Sequence, residues 1–201
     1  PVKKWYELKG INFSGSFTDA VMEFGQILKD AVRLRLRADV PVGSCLSGGL
    51  DSSSIVCLMH QLLHAQAVTG GQKTFSACSD IKQYDEKEWI DTVVNHTSVD
   101  SHYVYPSVEK LFSELDSITW QQDEPFATTS IYAQWNVFRL ASDNGVKVML
   151  DGQGADELLA GYHDYFRPYL LYLLRSFQWP RFLSEIRAMK RLHGIWATES
   201  S

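Results

Sequence analysis

The sequence predicts an α/β domain with a doubly wound, mostly parallel sheet, and three observations carry that expectation. Short apolar runs rich in β-branched residues alternate with amphipathic stretches of helical length. Two of those runs end in glycine turns that lead into helical patterns, Ser47-Gly48-Gly49 and Asp151-Gly152-Gln153-Gly154. The 201 residues, 45% hydrophobic and 21% charged, have the size and balance of one globular domain with a sizeable core. Strands spaced by helices imply right-handed crossovers, helices on both faces of the sheet, and ligands at the strands' carboxyl ends.

Taken in order, Val21, Phe24, Leu28, Ala31 and Val32 recur at helical spacing, predicting a helix from Thr18 to Arg37 capped by Ser16 or Thr18. Val40 to Leu46 reads as a strand closed by the first glycine turn, and Ser52 to Gln66 as the helix after it. The alternation continues with a strand near Thr74 to Cys78, a helix from Asp85 to His96, a strand near His102 to Tyr105 and a helix from Val108 to Trp120. A helix from Ser130 to Ser142 and a very apolar strand from Val146 to Leu150 complete the series. Thr69-Gly70-Gly71 is expected to be a loop, and from Leu158 onward the chain reads as helical and aromatic-rich. No internal repeat or low-complexity tract interrupts the pattern.

Composition narrows the function. The formal net charge of -5 gives no electrostatic reason to expect a nucleic-acid partner, and Arg33, Arg35 and Arg37 read as a solvated helix face. Cys45, Cys57 and Cys78 lack CxxC spacing, which predicts buried thiols in a reducing cytoplasm rather than a disulfide framework or zinc site. No apolar run is long enough to cross a bilayer, and the start of the chain lacks a secretory pattern. His60 and His64 stand four apart on one helix, and with the other four histidines they form no recognisable metal-ligand set, so a surface pair is expected. The chain starts at Pro1 and stops at Ser201 in a helical stretch, so a piece of something longer is expected, with an exposed apolar face on the Tyr162 to Trp196 helices.

Ser47-Gly48-Gly49-Leu50-Asp51-Ser52-Ser53 stands where a buried strand gives way to a helix. Glycines there permit positive φ and close approach of a ligand, while the following helix's amides and dipole, with the Ser47 and Ser52 hydroxyls, favour an anion such as phosphate. Asp51 would repel phosphate oxygens unless a cation bridged them, and Mg²⁺ is held in this way by one or two carboxylates plus substrate phosphates. No GxxxxGK[ST] occurs, which disfavours γ-phosphate chemistry of the GTPase or kinase kind. A turn in which Asp51 or Ser52 serves only as an N-cap is the plainer alternative.

The segment Ser47 to Ser53 resembles the PP-loop of the ATP pyrophosphatases, which split ATP between its α and β phosphates. After the apolar strand comes a second glycine turn with acids, Asp151-Gly152-Gln153-Gly154-Ala155-Asp156-Glu157, and in a parallel sheet two such loops can share one cleft, with Asp51 and Asp156 on one metal. Asp156 and Glu157 are also natural first-turn acids for the next helix. Together with Tyr84-Asp85-Glu86, Gln122-Asp123-Glu124-Pro125-Phe126, Lys4-Trp5-Tyr6-Glu7-Leu8 and the continuation to Tyr162, these motifs closely resemble the synthetase domain of asparagine synthetases, from the first residues to about Tyr165.

That resemblance implies a fold of the adenine-nucleotide α-hydrolase type and a synthetase domain over residues 1–201, truncated at its C-terminus and without the N-terminal glutaminase domain. It implies that Ser47, Gly48, Gly49 and Ser52 cradle pyrophosphate, that Asp51 and Asp156 hold Mg²⁺, and that Leu46, Ala77 and Gly152 lie near the adenosine. Leu46 and Ala77 suit equally well as strand-end core residues. Asp123 and Glu124 are secondary candidates for the substrate side, with a turn as the alternative.

The implied reaction adenylates a carboxylate with ATP, releases pyrophosphate, and converts the acyl-adenylate to an amide with ammonia. The default acceptor is aspartate, the nitrogen comes from a glutaminase domain outside this chain, and a homodimer is a compatible assembly. Catalytic positions fall on Asp51, Asp156 and Gln153. Gln153 stands where asparagine synthetases commonly have glutamate, thought to help deprotonate the attacking nitrogen, and a neutral amide cannot act as that base. Asp151 replaces a serine common there, and the family's catalytic lysine falls beyond the segment from Tyr162 to Ser201. Two other readings stay open: a relative that amidates or cyclises another carboxylate, in the manner of β-lactam synthetases or peptide cyclases, and a non-catalytic nucleotide-binding module.

Overall fold

The computed structural model of the chain describes residues 3, 4, 7, 13–65 and 71–193. Trp5, Tyr6 and Leu8 of the N-terminal motif, Gln66 of the second expected helix, Thr69 and Gly70 of the expected loop, and Trp196 lie outside the described residues. Two compact units divide the chain, one reaching to Gly152 and one starting at Gln153.

The first unit opens with helix α1, Phe17–Arg35, and its start is a capping box. The Ser16 hydroxyl accepts from the Asp19 amide at 3.2 Å, and the Asp19 carboxylate accepts from the Ser16 amide at 2.8 Å. Strand β1, Val42–Cys45, follows, then α2, Leu50–Ala65, and β2, Lys73–Ala77. A 3₁₀ turn at Lys82–Tyr84 precedes α3, Lys87–Thr97, and β3, Asp100–Val104. Helices α4, Val108–Gln122, and α5, Ser130–Asp143, come before β4, Val148–Leu150.

All four strands are parallel, in the order β3-β2-β1-β4. The chain steps outward from β1 to β2 to β3 and then returns past β1 to lay down β4. This makes the gap between β1 and β4 the topological switch point, where ligands of open α/β sheets bind.

Side-chain alternation along the strands sends two hydrophobic sets to opposite faces. On one, Phe75, Ala77, Cys45, Val104 and Met149 pack with Val137, Leu140 and Ala141 of α5. Gly43 leaves room for this layer, because a Cβ there would stand 3.0 Å from both the Phe75 ring and Val146. On the other, Leu46 and Cys78 pack with Val56 of α2 and Ile90 of α3, while Leu150 packs with Val32 of α1 and Met59 and Leu62 of α2. Burying each such Leu, Ile, Val or Phe contributes roughly 1.5–3 kcal/mol. The sheet is doubly wound, as expected, and among the described residues it is wholly parallel.

Boundaries move for local reasons. Val146 belongs to the turn after α5, its amide bonded to the Ala141 carbonyl at 2.9 Å, so β4 starts two residues later than its apolar run. The helix expected from Asp85 begins at Lys87, behind the 3₁₀ turn. Asp123 closes α4 in the left-handed region at φ 60°, which gives it the helix-terminating role of a turn residue.

The second unit holds the short helix α6, Ala155–Leu159, a 3₁₀ turn at His163–Tyr165, and the pair α7, Phe166–Arg175, and α8, Trp179–His193. Leu173 is fully buried there, whereas Leu158, Tyr172, Phe177 and Trp179 are exposed. Among the described residues no helix is long and apolar enough to cross a membrane.

Candidate functional site

The first glycine turn leaves the carboxyl end of β1 at the switch point. Leu46 continues the sheet, its amide donating to the Phe75 carbonyl at 3.0 Å, and its side chain is core, packed with Val56, Cys78 and Ile90. Ala77 is a strand-end residue packed in the α5 layer. Both therefore have the core role weighed for them, and any contact of Leu46 with a ligand falls to its backbone.

Beyond Leu46 the chain is braced from within. The Ser47 amide donates to the Ser52 hydroxyl at 3.1 Å, the two hydroxyls lie 3.0 Å apart, and the Ser52 hydroxyl also donates to the Gly49 carbonyl at 3.3 Å. Ser52 is buried and serves as the strut of the loop, while Ser47 is exposed and its hydroxyl accepts from the Gly49 amide at 3.3 Å. Helix α2 starts at Leu50, two residues earlier than its periodicity suggests, so Asp51 sits inside the first turn. The first-turn amides of α2 precede any i−4 acceptor in the helix and offer donors to an anion.

Gly48 is required twice over. Its φ is +84°, and a Cβ would stand 2.8 Å from the Trp89 Cβ and 3.2 Å from the Glu86 carbonyl oxygen and the Ile90 nitrogen. The start of α3 thus packs directly on the phosphate-type loop, and Trp89, 62% exposed, stands beside it.

The same helix turn carries a cluster that the sequence motifs do not flag. The Lys87 ammonium reaches both Asp91 oxygens at 2.7 and 2.6 Å, lies 4.9 Å from the Tyr103 ring centre, and shares Asp91 with the Tyr103 hydroxyl at 3.2 Å. The hydrogen bond to Asp91 holds the ammonium above its ordinary pKa. The i,i+4 spacing of Lys87 and Asp91 is the signal that could have found the pair.

The second glycine turn meets the first. A Cβ on Gly152 would stand 2.8 Å from the Ser52 nitrogen and 2.9 Å from the Asp51 Cβ, so its bare backbone rests on the first turn of α2. One residue earlier, Asp151 accepts the thiol hydrogen of Cys45. Burial first, then the charge and hydrogen bond of Asp151, push the Cys45 thiol up. All three cysteines are free, but only Cys78 is buried as expected; Cys45 and Cys57 are partly buried, and Cys45 is a neighbour of the site.

In the second unit, Asp156 and Glu157 lie in the first turn of α6, entered through Gly154 at φ +90°. Glu157 accepts from the Tyr162 hydroxyl at 3.0 Å, a local pairing that accounts for it. Gln153 is exposed at the start of this unit.

Among the described residues no group of three or more His, Cys, Asp or Glu side chains is arranged to hold a metal ion. Asp51, in the first turn of α2, could lend one carboxylate to a cation whose other ligands are phosphate oxygens and water, the way Mg²⁺ is commonly bound. With open helix amides, an acid in the first turn and a second glycine loop pressed against it, the switch point can bind a polyphosphate.

The asparagine synthase family profile matches residues 23–200. A Methanocaldococcus jannaschii protein provisionally named asparagine synthetase (glutamine-hydrolyzing) 2 is 37% identical over 180 residues, covering 87% of this chain and 33% of that protein. Amidase chyE of Penicillium rubens is 34% identical over 154 residues, or 72% of this chain and 23% of that one. Asparagine synthetase (glutamine-hydrolyzing) 1 of Bacillus subtilis is 34% identical over 148 residues, or 74% and 22%. The chain spans a third of the length of the first relative and under a quarter of the other two.

Proposed function

The chain belongs to the asparagine synthase family, and from that premise we propose that it is the ATP-binding synthetase part of an amide-forming ligase that activates a carboxylate by adenylation. The observation that carries this reading is the seat of Gly152 on the first turn of α2, beside Asp51, which joins the two glycine turns at the switch point.

In this mechanism the amides of Gly48, Gly49 and the first turn of α2, with the Ser47 hydroxyl, take the β and γ phosphates. Ser52 keeps the loop in shape for them. Asp51 and Asp156 would hold Mg²⁺, which when bound would offset negative charge on the phosphates. The acceptor's carboxylate oxygen attacks the α-phosphorus, the bond to the bridging α–β oxygen breaks, and pyrophosphate departs. Ammonia then adds to the acyl carbon, AMP leaves, and the amide nitrogen sheds a proton. Gln153 cannot take that proton.

Aspartate is the default acceptor, and a glutaminase domain elsewhere in the full-length protein is the proposed ammonia source. A second reading, amidation or cyclisation of another carboxylate, is favoured by the neutral Gln153, by Asp151 tied to Cys45, and by the similarity to a protein named an amidase.

The test is calorimetric binding of α,β-methylene-ATP, with and without Mg²⁺, to the chain and to Asp51→Asn and Asp156→Asn. Magnesium-dependent binding weakened in both variants is expected. Binding indifferent to magnesium and to both substitutions, in folded protein, refutes the pyrophosphatase-type site and leaves a nucleotide-binding module. Acceptor-dependent pyrophosphate release by the full-length protein separates aspartate from other acceptors.

A further inference from the structure

We propose that Gly161 is a positioning residue that sets the direction of the Asp156 carboxylate; this rests on the reading of Asp156 as a magnesium ligand. Helix α6 has five residues and is bounded by two left-handed residues, Gly154 at φ +90° and Ala160 at φ +56°. The reversal at Ala160 folds the chain back over the helix, and the Gly161 amide donates to the Asp156 carbonyl at 3.0 Å. Gly161 therefore lies against the side chain of Asp156. A Cβ there would stand 2.8 Å from the Asp156 Cγ and 3.3 Å from its Cα, and Asp156 Oδ1 is the atom it would meet first.

Gly161 itself is not among the positive-φ glycines, so its backbone tolerates an ordinary residue. Space, not conformation, is what demands glycine at this position. A methyl group would be accommodated mainly by swinging the flexible Asp156 side chain, with a few tenths of an ångström of give at its Cα. Gly161→Ala is thus a substitution that turns a carboxylate and leaves the fold in place, whereas Gly154 is a glycine for its backbone conformation and Gly48 for conformation and space together. Displacing a group that orients a metal ligand costs about 10–100-fold in metal affinity.

The experiment titrates Mg²⁺ into the full chain in the presence of α,β-methylene-ATP and reads nucleotide binding by calorimetry, with thermal melts alongside. The variants are Gly161→Ala, Asp156→Asn, the double variant, and Ala160→Gly, which eases the reversal without adding an atom near Asp156. Expected are an unchanged melting temperature for Gly161→Ala and a rise of about tenfold or more in the Mg²⁺ needed for half-maximal binding. No further shift is expected on the Asp156→Asn background, and a wild-type titration for Ala160→Gly.

A wild-type titration for Gly161→Ala, while Asp156→Asn is shifted, overturns the inference and leaves Asp156 as a ligand. Wild-type titrations for both, or no magnesium-dependent binding by the unsubstituted chain, overturn the ligand reading and the inference with it. A shift that persists on the Asp156→Asn background, an equal shift in Ala160→Gly, or loss of the folded state in Gly161→Ala also overturns it.

Discussion

Replacing Gly48 by alanine tests the structure of the first loop where it is most constrained. At φ +84° an L-residue pays for the left-handed conformation, about 1–2 kcal/mol. The added methyl also stands 2.8 Å from the Trp89 Cβ and 3.2 Å from the Glu86 carbonyl oxygen at the cap of α3 and the Ile90 nitrogen within it, none of which can rotate away. Forcing a helix terminus to shift by that much costs roughly a further 1–3 kcal/mol, the range of overpacked cores. The expected loss for Gly48→Ala is therefore about 2–5 kcal/mol. Gly49→Ala is the internal control: its Cβ would meet only the Ser47 hydroxyl at 3.4 Å, an ordinary contact, and its φ is not left-handed. It should lie within about 0.5 kcal/mol of the unsubstituted chain. Urea denaturation of the two variants gives the comparison, with a slope of about 1–3 kcal/mol per molar separating their midpoints by about 0.5 M or more. Coincident midpoints would refute the claim that α3 is seated on the loop.

Two further outcomes follow from buried groups. Cys45 is held protonated above the ordinary thiol value of 9.0, chiefly by burial and then by Asp151. The folded state keeps a proton that the unfolded state releases, so this contribution is fully present below about pH 9 and is lost as pH rises beyond it. Urea midpoints measured from pH 7 to 10 should fall above pH 9 and fall less steeply in Cys45→Ala; parallel curves for the two would show that Cys45 is not the source. Ser76, in β2, buries a hydroxyl with no partner among the described residues. Ser76→Ala is expected to raise stability by about 0.5–1.5 kcal/mol, and a comparable loss would reveal a partner for that hydroxyl.

The order of the elements was legible because each rests on local pattern. Val21, Phe24 and Leu28 repeat at helical spacing, and the short β-branched runs end in glycine. What stayed hidden was set by specific contacts that neither hydrophobic periodicity nor turn chemistry encodes. An apolar run says only that Val146 is buried, not that it sits in a turn bonded to Ala141. Nothing local marks Ser52 as the strut of the first loop, nor brings the Cys45 thiol to Asp151. The glycines show the division most clearly. Gly48 is readable from its turn, whereas Gly152 and Gly161 are demanded by neighbours that only the fold supplies.

The position of β4 also has a consequence for how the protein is made. β1, β2 and β3 are joined by single helical crossovers, but β4 pairs with β1 by setting Gly43 against Met149 and Ser44 against Leu150. Closing a loop of about a hundred residues carries a larger entropic cost than either earlier pairing, so the last strand is expected to dock late. During synthesis the first glycine turn therefore leaves the ribosome long before the second, and the crevice between β1 and β4 exists only after residue 150 has emerged. A nascent chain halted before Val148 has β1, β2 and β3 to pair but lacks the crevice proposed to take the nucleotide.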